Sequence, residues 1–322
     1  MSKVSVIIPV YGVEKYIEKC TRSLFEQSLD DIEFLFIDDC TPDKSIEILH
    51  RVLEDYPLRK PQVVVHRMDR NSGQAIVRQW GMEHAKGDYV IHCDSDDWVD
   101  TEMYKSMYFK AIEENADVVI CDIYKSTLEN NTVQCGCHSE NVNSFVKNCL
   151  FQKDSWSLCN KLFKRTVCYN RIDYPTSALG EDMYIFFQLI QKCQKLAYVP
   201  IPFYYYRYNT SSITKKFTVS NCLYKYTTLK DNTDKLIVFL ETKYASQRYL
   251  KEAKDFLRIN NARCLMNILY LSDYRKIWND TCKDVSLIRL LFCPNIGIYH
   301  KVVYFLTKSG FLPRKEDRAE NI

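Results

Sequence analysis

The chain has 322 residues, 46% of them hydrophobic and 26% charged, which suits one substantial α/β domain with a smaller addition and excludes a disordered chain. Its 14 cysteines lack regular spacing and no secretory leader precedes the first strand, so a disulfide framework is excluded; small buried thiols in a reducing cytoplasm are expected. Formal net charge is only +3, and no nucleic-acid partner is expected.

Lys3–Pro9 is a nearly continuous apolar run, the pattern of a strand buried on both faces. Apolar positions at Val13, Tyr16, Ile17, Cys20, Leu24 and Phe25 have helical spacing over residues 13–27. Ile32–Ile37 predicts a second buried strand, Ser45–Leu53 a second helix, Val63–His66 a third strand, Gln74–Ala85 a third helix and Tyr89–Cys93 a fourth strand. Such alternation implies a mostly parallel sheet with helices on both faces and a ligand crevice beyond the strands' carboxyl ends. Those ends carry Pro9-Val-Tyr-Gly12, Asp38-Asp39, Arg67-Met-Asp-Arg-Asn71 and Asp94-Ser95-Asp96-Asp97, all rich in groups that bind polar ligands.

Beyond residue 100 the pattern loosens. A helix is predicted at Glu102–Asn115, a short strand at Asp117–Cys121 and an irregular polar stretch with strand-like pieces over 124–150. An amphipathic helix follows at Glu181–Lys192, then strand-like pieces at Ala197–Val199 and Phe203–Tyr208, and only helical patterns from about Ser220. Residues 1–215 carry 25 Lys and Arg against 30 Asp and Glu, whereas residues 216–322 carry 19 against 11. A basic helical tail suits either a solvated surface or an anionic partner such as a membrane surface. Leu287–Leu312, apolar and aromatic with interspersed cations, suits a membrane interface, the catalytic body or a second subunit in a homodimer. No run of 18 uncharged apolar residues exists to span a bilayer unaided.

Three carboxylates within Asp94–Asp97 would repel one another unless a cation joined them, and Mg²⁺ or Mn²⁺ could bridge such oxygens to a diphosphate. The competing reading is a loop or helix cap. Asp38-Asp39 could accept hydrogen bonds from a ribose or base, or cap the next helix, a task Thr41 and Asp43 could perform unaided. Neither Gly-x-Gly-x-x-Gly nor Gly-x4-Gly-Lys occurs, which disfavours dehydrogenases and P-loop enzymes. Glu181-Asp182 opens a helix, where capping explains acids about as well as chemistry does; the macrodipole there should lower their pKa and keep a base ionised. Cys135, Cys137 and His138 offer a weaker zinc alternative.

In this order the segments Val4-Ser-Val-Ile-Ile-Pro-Val-Tyr11, Phe36-Ile-Asp-Asp39, Asn71-Ser-Gly73, Arg78, Gly87-Asp-Tyr89, Asp94-Ser-Asp-Asp-Trp98 and Gly180-Glu-Asp182 resemble a family 2 inverting glycosyltransferase of bacterial polysaccharide type. The resemblance implies a GT-A catalytic domain over residues 1–215, with a nucleotide-sugar-binding half at 1–100 and an acceptor half at 101–215, plus a helical C-terminal extension at 216–322. It implies an enzyme that uses Mn²⁺ or Mg²⁺ and a nucleotide-sugar donor, UDP-linked, with a glycan or lipid-linked acceptor; the cysteines point to the cytoplasm, and the basic tail suits a peripheral place on the inner membrane face. Pro9, Tyr11, Glu14, Asp38, Asp39, Asn71, Gly73, Arg78, Asp94, Ser95 and Arg207 would bind the donor, and Asp96 with Asp94 the metal. Asp182 would be the general base with Glu181 behind it, while Trp156, Asn160, Lys161 and Asp97 would face the acceptor. Ser211-Ser212 would close over the diphosphate with Arg207. Gly12 departs from a usual Asn, Cys40 from a usual Gly and Gln79 from a usual Asn. The rivals are a nucleotidyltransferase on a related sheet, which would need a basic glycine-rich loop after the first strand, and a catalytically inactive sugar-nucleotide binder.

Overall fold

The computed structural model describes residues 2–126, 131–168, 171–207, 218–269, 272–283, 285, 286, 288, 291 and 297–309. The chain divides into two compact units, residues 1–149 with 153–209, and residues 150–152 with 210–322. Ser211-Ser212 lie outside the described residues.

The first unit is built on a nine-stranded sheet: β1 Val4–Val10, β2 Ile32–Asp38, β3 Val63–Arg67, β4 Tyr89–His92, β5 Trp98–Val99, β6 Val118–Ser126, β7 Asn131–Gln134, β8 Lys161–Lys164 and β9 Leu196–Arg207. The order is β3-β2-β1-β4-β8-β6-β9-β5, with β7 beside β6. β3, β2, β1 and β4 run parallel, as the alternating pattern predicted; β8 enters antiparallel to both β4 and β6, while β9 runs parallel to β6. The chain winds outward from β1 through β2 to β3, then returns to place β4 on the other side of β1. The resulting switch point opens beyond the carboxyl ends of β1 and β4.

Between the parallel strands lie α1 Ile17–Phe25, α2 Ser45–Glu54 and α3 Gln74–His84. Even-numbered β1 residues Val4, Val6, Ile8 and Val10 share a core with Leu24 and Phe25 of α1 and Leu49 and Val52 of α2. Ile7, of opposite parity, meets α3, where a Cβ on Gly81 would come within 2.5 Å of its Cγ2. That close approach explains a glycine in mid-helix. The remaining helices of this unit are α4 Met103–Glu114, α5 Val142–Leu150, α6 Arg165–Cys168 and α7 Glu181–Ile190.

Several expectations shift. The first helix begins at Ile17, four residues later than its apolar spacing suggested. β3 is a half-exposed edge, so only its inner neighbours are buried on both faces. The two strand-like pieces near 197 and 203 form one strand, β9, whose pairing with β6 shifts register beside Cys121 and Asp122. Within the irregular stretch a strand-like piece is β7, but α5 lies there as well.

In the second unit, α8 Val219–Lys243 is capped by the Thr218 side chain, which accepts from Asn221 N. α9 Leu250–Ala262, α10 Ser272–Cys282 and α11 Ile298–Lys308 follow. Lys254 pairs with Glu241, linking α9 to α8, and Phe151 packs edge-on against Phe256 at 5.6 Å. Trp278 is fully buried and donates to Thr307 Oγ1 at 3.0 Å, joining α10 to α11. No helix among the described residues is long and apolar enough to cross a membrane.

Candidate active site

The ends of β1 and β2 are fastened before any ligand is considered. Gly12 adopts φ +68° and donates its N–H to Thr41 Oγ1 at 2.8 Å. Asn tolerates the left-handed region nearly as well as Gly, so the departure at this position keeps the same backbone. Cys40 also sits at positive φ, +56°, which accounts for the glycine usual there. Asp38 is buried, accepting from Thr41 N at 2.7 Å and from Arg67 Nη1 at 2.7 Å. Asp39 is buried as well, and its two oxygens receive Ser72 N at 2.6 Å and Gly73 N at 2.9 Å. The pair thus holds the 71–73 loop and the turn after β2. Asp43 occupies the start of α2, accepting from Ser45 N and from the hydroxyls of Thr41 and Ser45. Tyr11, Glu14 and Asn71 stay exposed around this rim, while Pro9 is half-buried and its carbonyl accepts from Ser95 Oγ at 2.6 Å.

Beyond β4, Asp94 Oδ1 receives Arg78 Nη2 at 2.8 Å and Gln74 Nε2 at 3.0 Å. Gln74 and Arg78 lie one turn apart on α3, so one helix face presents both donors. The Asp94 carboxylate is 29% exposed, and its Oδ2 accepts no hydrogen bond among the described residues. Asp97 is nearly sealed from solvent; it accepts Tyr204 Oη at 2.7 Å and Arg207 N at 2.7 Å. The same Tyr204 hydroxyl receives Asp94 N at 3.1 Å, so one phenol pins both ends of the acidic turn to β9. Burial, reinforced by Asp96 and Asp94, pushes the Asp97 carboxyl far above its usual range. Arg207 Nε donates to the Asp96 carbonyl at 3.0 Å, and its guanidinium stacks 4.9 Å from Tyr16 and 5.0 Å from Trp98.

Arg78 connects this cluster to the second acidic pair. Its side chain is 4% exposed, with Nη2 on Asp94 and Nε 3.9 Å from Glu181 Oε1. Burial opposes its charge, but Asp94, Glu181 and Asp182 outweigh that and hold it protonated. Its Nε and Nη1 make no hydrogen bond. Gly180 at φ +78° turns the chain into α7, bringing Glu181 and Asp182 into the first turn. Glu181 is buried, while Asp182 retains partial exposure and accepts Met183 N at 2.7 Å. Burial raises the Glu181 pKa to about 8, aided by Asp182 and opposed by Arg78. Asp182 is also raised by burial, with Met183 N–H and Arg78 pulling it back. The helix dipole does not lower these pKa values as expected from the sequence: the missing solvation outweighs it.

Other sequence candidates fall elsewhere. Asn160 and Lys161 have no exposed surface. Asn160 donates to Cys121 O at 2.6 Å and accepts from Lys161 Nζ at 2.8 Å, and Lys161 also reaches Ser157 O at 2.7 Å. They lock the start of β8 into the sheet, and burial lowers the Lys161 pKa. Asp97 likewise faces inward, while Trp156 is half-buried. His138 bonds Asp154 at 2.6 Å, and the Cys135 and Cys137 thiols lie near backbone carbonyls. Most of the described cysteines are buried. His92 is buried under the cluster, where burial and Arg78 keep it neutral.

Gln74 and Tyr204 carry contacts that sequence reasoning did not assign. The i, i+4 spacing of Gln74 to Arg78 was a usable signal; the Tyr204 hydroxyl depends on a strand pairing that no local pattern reveals. Among the described residues, no three His, Cys, Asp or Glu side chains converge as a ready-made metal cage. The partly exposed Asp94 carboxylate, with Asp96 two residues on, still fits Mg²⁺ or Mn²⁺, which take few protein ligands and complete their shell with phosphate and water.

The Glycosyl transferase family 2 model matches residues 5–153, which contain β1 to β4 and the Asp94 cluster. A Bacillus subtilis (strain 168) protein, EpsH, which carries a glycosyltransferase name, is 27% identical over 300 residues, 88% of this chain and 82% of that one. The Staphylococcus aureus TarS fragment 1–349, solved with UDP, superposes with a TM-score of 0.69 at 16% identity, covering 96% of this chain and 88% of that one. The Pyrobaculum calidifontis mannosyltransferase PcManGT, solved with GDP-Man and Mn²⁺, gives a TM-score of 0.55 at 15% identity, covering 98% and 88%. Sheet and relatives together define a glycosyltransferase of GT-A fold. Residues 5–153 match glycosyltransferase family 2, and the relatives that the chain resembles carry the same kind of name.

Proposed function

We propose that the protein moves one sugar from a nucleotide diphosphate, UDP-linked, to a hydroxyl of a glycan or lipid-linked acceptor in surface-polysaccharide synthesis, with inversion. The observation that carries this reading is Arg78, which spans from Asp94 to Glu181 with a single guanidinium. The group that would hold the leaving diphosphate and the helix that would hold the base are thereby fixed a few ångströms apart, as a direct displacement requires. UDP rests on the likeness to TarS, solved with UDP.

Asp94 and Asp96 would hold Mn²⁺ or Mg²⁺, which would neutralise the diphosphate as it leaves. Asp182 takes the acceptor's hydroxyl proton; the oxygen bonds the anomeric carbon while the bond to the diphosphate oxygen breaks and that oxygen keeps its electron pair. Partial exposure suits Asp182 to reach an acceptor, whereas Glu181 is buried beside Arg78. A raised pKa strengthens a base, provided it is ionised at working pH. Asp39, with Pro9, Tyr11, Glu14 and Asn71 around it, would form the nucleoside pocket, its carboxylate holding the loop and a base N–H together. Arg207, stacked on Tyr16 and Trp98, would meet the phosphates.

Calorimetric titration of UDP, GDP and CDP, with and without Mn²⁺, tests the reading. Tighter binding of one nucleotide with metal, lost in Asp96→Asn, is expected; equal binding with and without metal overturns the metal-diphosphate assignment.

A further inference from the structure

Helix α11 has two apolar faces, only one of which is covered. Tyr304 and Thr307 are buried; Tyr304 donates to the Cys282 and Val285 carbonyls at 3.0 and 2.8 Å, and Thr307 accepts from Trp278. On the far side Ile298 is 77% exposed, Tyr299 66%, Val302 46% and Phe305 48%. At about 100° per residue, these four and the half-buried Leu306 fill an arc of about 120° in which no residue carries a charge. Leu291, whose carbonyl accepts from Lys301 Nζ at 2.7 Å, is exposed as well. A solvent-facing arc of this kind marks an interaction surface.

We propose that the outer face of α11, backed by the basic charge of residues 216–322, docks the protein on an anionic lipid surface. Two observations choose lipid over a second copy of the chain. The first is area: an 11-residue helix is about 16 Å long, so its apolar strip offers a few hundred Å², well below the roughly 800 Å² per partner of a stable dimer. The second is charge: residues 216–322 hold 19 Lys and Arg against 11 Asp and Glu, an excess that complements anionic headgroups. An amphipathic helix carrying Tyr and Phe suits shallow insertion at the headgroup boundary. The inference stands apart from the donor and base assignments, because lipid binding is read without turnover.

Co-sedimentation of the full chain with vesicles of pure phosphatidylcholine, or with added phosphatidylglycerol, tests it. The protein is expected to favour the anionic vesicles about tenfold or more, less so in high salt. Phe305→Gln with Ile298→Gln should lower that binding about tenfold or more, with an unchanged circular-dichroism spectrum. Leu58→Gln, a swap at a 90% exposed leucine in the first unit, should leave it intact. Equal binding by the double variant, or no preference for anionic lipid, overturns the proposal. So does a concentration-dependent dimer in light scattering that the double variant converts to monomer.

Discussion

Asp94 and Glu181, the carboxylates on either side of Arg78, sit in opposite environments. Asp94 is 29% exposed, and Arg78 and Gln74 both donate to its Oδ1. Glu181 is buried, with Arg78 only at 3.9 Å, and burial raises it to about 8. A reachable carboxylate suits a cation; a carboxylate that is costly to ionise suits proton transfer. Composition alone could not have separated these roles, because desolvation distinguishes them.

The sharpest way to break that contrast is Asp182→Asn. Turnover should fall by about 10²–10⁴, while nucleotide-diphosphate affinity measured by calorimetry should change little. A parallel loss of affinity would place Asp182 on the donor side and dissolve the division. Arg78→Met attacks the link itself by leaving buried carboxylates without their cation. Destabilisation of about 3–5 kcal/mol is expected in chemical denaturation at neutral pH. A near-neutral result would mean that the two clusters do not depend on a shared cation.

Glu181→Gln tests the buried side through pH. The folded state holds the Glu181 proton up to about 8, whereas the unfolded chain releases it near 4.5. Folded-state stability tied to this group is therefore full below about 4.5, declines as pH rises toward 8, and is flat above. Glutamine has no proton to lose, so the variant should gain about 2–4 kcal/mol relative to the parent at pH 8.5 and little at pH 5. Unfolding curves at both pH values decide it; equal gains would show that Glu181 is not strained by its charge.

The sequence made the left half of the sheet legible because β1, β2 and β4 are buried on both faces and the helices between them carry continuous 3.6-residue patterns. The Asp94–Asp97 turn could be located for the same reason, as it follows the fourth such strand. β8 and β5, of four and two residues, are too short to show a period, and they exist through pairing with distant strands. Asn160 and Lys161 are placed on the acceptor side by resemblance alone, and no local pattern shows their burial or the hydrogen bonds that satisfy it. β9 read as two pieces because Pro200 and Pro202 interrupt its alternation at the register shift. For α7, the helix start was visible but the depth of burial was not, and depth set the direction of the pKa shift.

The smallest expected effect lies on the open side, at the turn leading from β1 toward the nucleoside rim. Gly12 has φ +68°, and a Cβ there would meet nothing within 4 Å, so conformation alone decides what the position accepts. Asn, which tolerates the left-handed region, should cost only a few tenths of a kcal/mol, whereas Ala should cost about 1 kcal/mol and a β-branched residue more. Thermal unfolding of Gly12→Asn, Gly12→Ala and Gly12→Val ranks them. A crowded site would instead penalise Asn more than Ala, because Asn is larger. The expected order separates backbone from space, and it makes the departure from Asn at this turn a substitution between two residues that share one conformation.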